Sequence, residues 1–199
     1  MTRKAKSTSN TENGNVMAKR KSNHLTYLTE DQVAKLLEAL KRGRNGQRNY
    51  TMGLLTYRHG LRAAEACDLQ WQDIDLKRGR VHVRRLKSGI DSVHPLQGDE
   101  LRALKAWQRE QGPGIKFIFT SEQGGPLTPR MFGYMIRDAG KSAELPPCHP
   151  HILRHSCGYA LANQGQNTRA LGEYLGHANL NNTRRYTALN ESAFKDFWR

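Results

Sequence analysis

Three cysteines in 199 residues, Cys67, Cys148 and Cys157, are too few and too odd in number for a disulfide framework. A reducing, cytoplasmic setting is therefore expected. No stretch approaches the roughly 20 apolar residues that a helix needs to cross a bilayer, so a membrane span is excluded. The basic start Met1-Thr-Arg-Lys-Ala-Lys6 is not followed by an apolar block, which excludes a secretory leader. Hydrophobic residues are sparse, at 37%, and no internal repeat is visible. Aromatic residues still reach 8% and several apolar runs remain, so a core can form and a wholly disordered chain is excluded. The length fits roughly one domain with room for a tail.

Acidic residues are the telling scarcity. There are 18 Asp and Glu against 32 Lys and Arg, a net charge of +14. Residues 1–24 carry +5 of this and the remaining residues +9, so the basic character belongs to the folded part as well as the tail. Such a chain is expected to meet a polyanion, with nucleic acid the leading candidate; the plainer alternative is a merely basic soluble protein.

Residues 1–24 are almost devoid of apolar side chains and read as a disordered basic tail. Thr29-Glu-Asp-Gln32 has the pattern of a capping box, and Val33, Leu36, Leu37 and Leu40 follow at helical spacing up to Gly43. Further helices are predicted at about 49–59, 62–69, 98–111, 128–139, 150–163, 168–175 and 190–198. Between 71 and 96 the period changes to two. Trp71–Leu76, Arg80–Leu86 and Asp91–Leu96 read as a three-stranded antiparallel meander with Gly-containing turns. Phe117–Phe119 reads as a strand fragment or buried loop. The class is α+β, mainly α with one small sheet.

Four groups of residues can carry chemistry. Arg62 and Glu65, at i,i+3 on a helix start, share a face; alone they are also consistent with a surface ion pair. His151 and Arg154 stand at the same spacing, with His155 one turn from His151. Cys148, His149, His151, His155 and Cys157 invite a zinc reading, or a structural histidine cluster. Against zinc, Arg154 lies between the paired histidines and no Glu supplies the base of a metalloprotease helix. His177 follows Leu175-Gly176 at a helix end, and Tyr186 comes nine residues later in the polar, basic run Asn181-Asn-Thr-Arg-Arg185. A tyrosine there need not be buried and can present its hydroxyl to an anion; the plainer alternative is a partly exposed amphipathic Tyr. Tyr57, Tyr134, Tyr159 and Tyr174 sit in amphipathic helical patterns and read as packing residues.

Together these residues fit phosphoryl transfer without a metal. Charge on the equatorial oxygens of the phosphorus needs a cation, and no carboxylate cluster is present to hold Mg²⁺. Arg62 and Arg154 can substitute, because the guanidinium fork matches phosphate bidentately. Tyr186 can serve as nucleophile, His151 can take its proton, and Lys87, on a hairpin turn, can protonate the leaving 5′-oxygen.

The ordered set Gly60-Leu-Arg-Ala-Ala-Glu65, Arg85-Leu-Lys-Ser88, His151-Ile-Leu-Arg-His155, Leu175-Gly-His177 and Tyr186 resembles the catalytic domain of the tyrosine recombinase (phage integrase) family over about residues 25–199. The resemblance implies that Arg62 and Arg154 bind the scissile phosphate, Lys87 is the general acid, and His151 is the acid/base. It places His177 at the family's His-or-Trp position beside the phosphate and makes Tyr186 the nucleophile. Glu65 is implied to orient the site and His155 to support it. No metal or other cofactor is implied. A separate N-terminal DNA-binding domain, usual in the family, does not precede residue 25, as in the short recombinases that switch fimbrial phase. The expected activity is site-specific recombination of double-stranded DNA through a 3′-phosphotyrosyl intermediate, inverting an element between inverted repeats. The expected assembly is a homotetramer on DNA, with host DNA-bending proteins as further partners and the bacterial nucleoid as the location. Integration or excision of a mobile element, topoisomerase-like nicking and closing, and a DNA-binding regulator that keeps the fold are the alternatives.

Overall fold

A computed structural model describes residues 27–86 and 89–187. The expected tail at 1–24, Lys87 at the hairpin turn, and the helix expected at 190–198 lie outside the described residues. Helix α1 (Glu30–Leu40) opens on the expected capping box: the Gln32 amide donates to Thr29 Oγ1 and the Thr29 amide to Gln32 Oε1. Helix α2 (Gly46–Arg58) begins three residues earlier than its hydrophobic pattern indicates, and the short α3 (Ala63–Cys67) follows the turn at Gly60. Helices α4 (Gly98–Gln111), α5 (Pro129–Ser142), α6 (Pro150–Asn163) and α7 (Thr168–Leu175) are the other expected helices within the described residues. An eighth, α8 (Asn181–Thr187), was not predicted; its inward face is only Thr183 and Tyr186, too brief a pattern to read as a helix.

The sheet is a meander in the order β1 (Ile74–Asp75), β2 (Arg80–Val83), β3 (Ser92–Pro95), antiparallel throughout. The first strand is much shorter than the pattern over 71–76 implies. Residues Trp71–Asp73 form a 3₁₀ turn instead, because the Asp73 carboxylate accepts from the Gln70 amide and pulls the chain round. Val81 and Val83 point inward from β2, and His94 does so from β3. Phe117–Phe119 is a buried connection touching the rest through an isolated bridge from Phe117 to Gln70.

Two apolar clusters of unequal size result. The larger runs through α1, α2, α4, α5, the sheet and the start of α6, with Leu36, Met52, Leu104, Phe132 and Leu153 at its centre. The smaller consists of Cys157, Ala162, Leu171, Leu175 and Tyr186, where α6, α7 and α8 meet. The turn after α2 and the C-terminal end of α7 meet α6 between these clusters, and Arg85, just past β2, reaches the same turn and helix end.

Candidate active site

Gly60, with a φ of +56°, turns the chain between α2 and α3 and exposes backbone carbonyls toward α6. Two buried arginines use them. Arg154, from the first turns of α6, donates from Nη1 to the Gly60 carbonyl and from Nη2 to the Leu175 carbonyl at 2.7 Å. Arg85, just past β2, donates to the Gly60 carbonyl at 3.3 Å, the His59 carbonyl at 3.1 Å and the Tyr174 carbonyl at 2.5 Å. The ends of α2 and α7 are thereby tied together by two guanidinium groups.

Glu65 is the counter-charge. Its buried carboxylate accepts from Arg62 Nη1 at 2.6 Å, the Arg62 amide at 2.9 Å, Arg85 Nη1 at 2.9 Å and the Leu86 amide at 3.2 Å. Burial alone would raise its pKa; these donors and the two arginines outweigh that and hold it below the usual carboxylate range. Arg62 keeps part of its side chain open to solvent, whereas Arg154 is buried and its pKa falls to about 10, through desolvation first and the charges of Arg62 and Arg85 second. It remains a cation at neutral pH. Three guanidinium groups against one carboxylate leave two positive charges in excess, and among the described residues Arg154 engages two of its five N–H donors.

The helical spacing places His151 and His155 on one side of α6, with rings edge to face at 4.6 Å. Tyr186 does not lie open, as its polar sequence neighbours imply: it is 2% exposed. Its ring fills the space over Gly158, where a Cβ would come within 2.7 Å of it, and meets Tyr159 edge to face at 5.1 Å. The hydroxyl pairs with His155 Nδ1 at 2.9 Å. His177 lies nearly parallel to Tyr186 with centroids 6.3 Å apart, and its Nδ1 pairs with Thr183 Oγ1 at 2.8 Å, joining the end of α7 to α8. Burial chiefly, with neighbouring positive charge, lowers the pKa of His155 to about 4, of His177 to about 4, and that of His151 in the same direction. All three are neutral at pH 7. Burial raises the Tyr186 pKa, while Arg154 and Arg185 pull it down without prevailing.

Arg62, Glu65, Arg154, His151, His155, His177 and Tyr186 thus gather where α3, α6, α7 and α8 meet. The cysteines of the zinc reading do not join them: Cys148 Sγ turns to the Pro146 carbonyl and Cys157 Sγ to the Arg58 carbonyl. Among the described residues no cluster of three His, Cys, Asp or Glu could hold a metal. Tyr134, read as a packing residue, is exposed between Arg130 and Arg137. Arg85 was given no role by the sequence reading, although the alternation offered a signal: Val81, Val83 and Arg85 are two residues apart and on one face.

A model of the phage integrase family matches residues 26–193. The chain is 43% identical over 178 residues to the type 1 fimbriae regulatory protein FimE of Escherichia coli K12, covering 86% of this chain and 90% of that one. It is 42% identical over 177 residues to the type 1 fimbriae regulatory protein FimB of the same strain, covering 86% and 88%. Among solved structures, XerA recombinase superposes with a TM-score of 0.74 at 29% identity, over 84% of this chain and 62% of that one.

Proposed function

On the premise that this chain belongs to the phage integrase family and is a tyrosine-type site-specific DNA recombinase, we propose how its residues divide the reaction. Arg62 and Arg154 grip the scissile phosphate, with His177 beside it, and Glu65 holds Arg62 in place. Tyr186 Oη attacks phosphorus and the bond to the 5′-oxygen breaks, leaving a 3′-phosphotyrosine. The phenolic proton passes to the imidazole pair, His155 being its partner at rest and His151 the acid/base beside it. Lys87 gives its proton to the departing 5′-oxygen. In the second half the steps reverse with a 5′-hydroxyl of a partner strand, so the bond energy is retained and no cofactor is consumed. The observation that carries this reading is the excess of two positive charges when Arg62, Arg85 and Arg154 are set against Glu65, in one site with a hydrogen-bonded tyrosine.

The similarity to two fimbriae regulatory proteins over nearly their whole length supports inversion of a DNA element between inverted repeats. Exchange between two duplexes requires four active sites, hence a homotetramer on paired sites, with host DNA-bending proteins able to bring the sites together. Residues 25–199 form the catalytic domain, and the basic tail at 1–24 adds phosphate contacts in the bacterial cytoplasm.

The test is trapping on nicked duplex DNA. The unmodified protein yields an SDS-resistant adduct, and Tyr186→Phe yields none while binding DNA normally. An adduct from Tyr186→Phe would assign the nucleophile elsewhere. A plasmid with the site in inverted and direct orientation separates inversion from excision by product topology.

A further inference from the structure

Thr183 has no exposed surface, although it stands in the polar, basic run Asn181-Asn-Thr-Arg-Arg185. It lies on α8, one turn before Tyr186, and packs against α7. Gly172 of α7 makes room for it: a Cβ there would stand 3.1 Å from Thr183 Oγ1 and 2.7 Å from Leu180 Cδ2. Among the described residues the hydroxyl has one hydrogen-bond partner, His177 Nδ1 at 2.8 Å. The backbone beneath that ring is fixed as well. Gly176 caps α7 in the left-handed region, with a φ of +64°, and the His177 amide donates back to the Gly172 carbonyl at 2.9 Å.

The bond between Thr183 and His177 decides which ring nitrogen carries the proton. The ring is neutral at pH 7, because burial chiefly, and the charges of Arg154 and Arg62 after it, lower its pKa to about 4. A threonine hydroxyl has one hydrogen to give. If Nδ1–H donated to Oγ1, that hydroxyl hydrogen would stand in a buried place without an acceptor among the described residues, an unfavourable arrangement. If Oγ1–H donates to Nδ1, both groups are satisfied and the ring proton sits on Nε2. Nε2 takes no part in this bond and has no hydrogen-bond partner among the described residues. Carrying a proton, it attracts a phosphate oxygen; bare, it would set a lone pair against a negative charge.

We infer that Thr183 is a positioning residue: by donating to Nδ1 it fixes His177 as the Nε2–H tautomer, so that the ring offers a hydrogen-bond donor to the phosphate. This rests on the proposed place of His177 beside the phosphate. Thr183 belongs to the helix that carries Tyr186, so the donor is completed only when that helix is docked, and nucleophile and donor come into register together. Valine keeps the shape of threonine without its hydroxyl, and serine keeps the hydroxyl without the methyl; the two separate the hydrogen bond from the packing.

Two measurements on the full-length protein test this. In the first, the ring nitrogens of isotope-labelled histidine are observed by NMR at pH 7, with the signals missing from His177→Ala giving the assignment. The proton of His177 is expected on Nε2, with Nδ1 bare and accepting a hydrogen bond; a proton on Nδ1 would overturn the inference. This reading is taken on the unmodified protein and decides even if Thr183→Val does not fold. The second is single-turnover adduct formation on nicked duplex DNA at saturating protein. His177→Ala removes a donor to the charged transition state and should slow the reaction about 10²–10³-fold. Thr183→Val should slow it about 10–10²-fold, as a misaimed catalytic group does, while Thr183→Ser should stay close to the unmodified rate. Added to His177→Ala, Thr183→Val should slow the reaction no further, since it acts through a ring no longer present. The same slowing in both backgrounds, or a Thr183→Ser protein as slow as Thr183→Val, would assign the effect to the docking of α8 and overturn the inference; so would unimpaired cleavage by Thr183→Val. If His177→Ala cleaves at the unmodified rate, the reading of His177 fails and the inference with it. If His177→Ala is slow and Thr183→Val acts independently of it, only the positioning role falls.

Discussion

The proposed phosphate clamp and the proposed nucleophile are built on different principles, although α6 contributes to both. Around Glu65 the polar groups are buried and multiply bonded: one carboxylate takes four donors, and two arginines cross-link the ends of α2 and α7. Tyr186 instead rides on α8, seven residues long, held by its hydrogen bond to His155, the His177–Thr183 and Thr168–Thr187 bonds and the small apolar cluster. A helix this short has little stability of its own and depends on that docking. As a proposed clamp, this region is preorganised for the charge of the transition state, where fixed donors lower the barrier. The tyrosine is held out of solvent, so on the proposed mechanism its placement is the natural point of control.

Breaking the clamp should have the largest effect. Arg154→Lys removes the fork that joins the Gly60 and Leu175 carbonyls; Gly60 keeps its bond from Arg85, whereas the Leu175 carbonyl loses its Arg154 partner. Cleavage should fall at least about 10²–10³-fold, the usual consequence of losing a preorganised charge donor, with a lowered melting temperature. Arg62→Lys should lose a similar factor in cleavage with less loss of stability, because Arg62 is partly solvated and its backbone amide still binds Glu65. Adduct formation and thermal melts on both variants measure the two quantities separately. Equal melting losses would show that the two arginines are not divided between inner anchor and outer contact.

The next largest effect addresses the nucleophile. Gly158→Ala would place a Cβ 2.7–2.9 Å from the Tyr186 ring, and nothing else in α6 need change. Overpacking of this kind costs about 1–3 kcal/mol, paid here by the docking of α8 alone. Tyr186 should become reactive to a phenol-modifying reagent while the clamp side keeps its hydrogen-exchange protection. If protection is lost throughout the molecule, the two regions are one cooperative unit and the contrast between them fails.

How much of this was legible in the sequence follows the same division. Elements whose burial repeats over three or more turns were placed within a few residues: α1 by its capping box, α4 and α6 by their apolar spacing, α5 by Thr128 with Pro129 at its first position. The strand expected at 71–76 failed because a side chain, Asp73, competes for the backbone there. Helix α8 was missed because only Thr183 and Tyr186 face inward, and so the burial of Tyr186 was missed too. The arginines and histidines were identifiable as types at a spacing. That the phenol pairs with His155 rather than His151 depends on how α8 docks on α6, which no spacing within either segment records.

The smallest expected effect is on stability against acid, and it can assign a share to each region. His94, on the clamp side beneath α7, is buried with its ring stacked on Tyr174 at 3.9 Å, bonded to Ser92 and His59. Burial chiefly, then the charge of His59 and Arg85, lowers its pKa to about 3; His155 and His177, on the nucleophile side, lie at about 4. Each is below the value near 6.5 of an unfolded histidine, so between the two the unfolded chain binds more protons than the folded one. Stability is therefore fully present above pH 6.5 and declines as the pH falls, toward 4 for the nucleophile-side pair and toward 3 for His94. For His94 alone the loss between pH 6.5 and pH 5 is about 2 kcal/mol, at 1.36 kcal/mol per pH unit. Urea midpoints at pH 7 and pH 5 should thus draw closer together in His94→Gln, which keeps a polar group toward Ser92. Trapping of Tyr186 by the phenol reagent at pH 5 reads the other side. If His94→Gln leaves the acid loss unchanged and Tyr186 becomes reactive at pH 5, the loss arises where α8 docks, and the nucleophile is released before the clamp weakens.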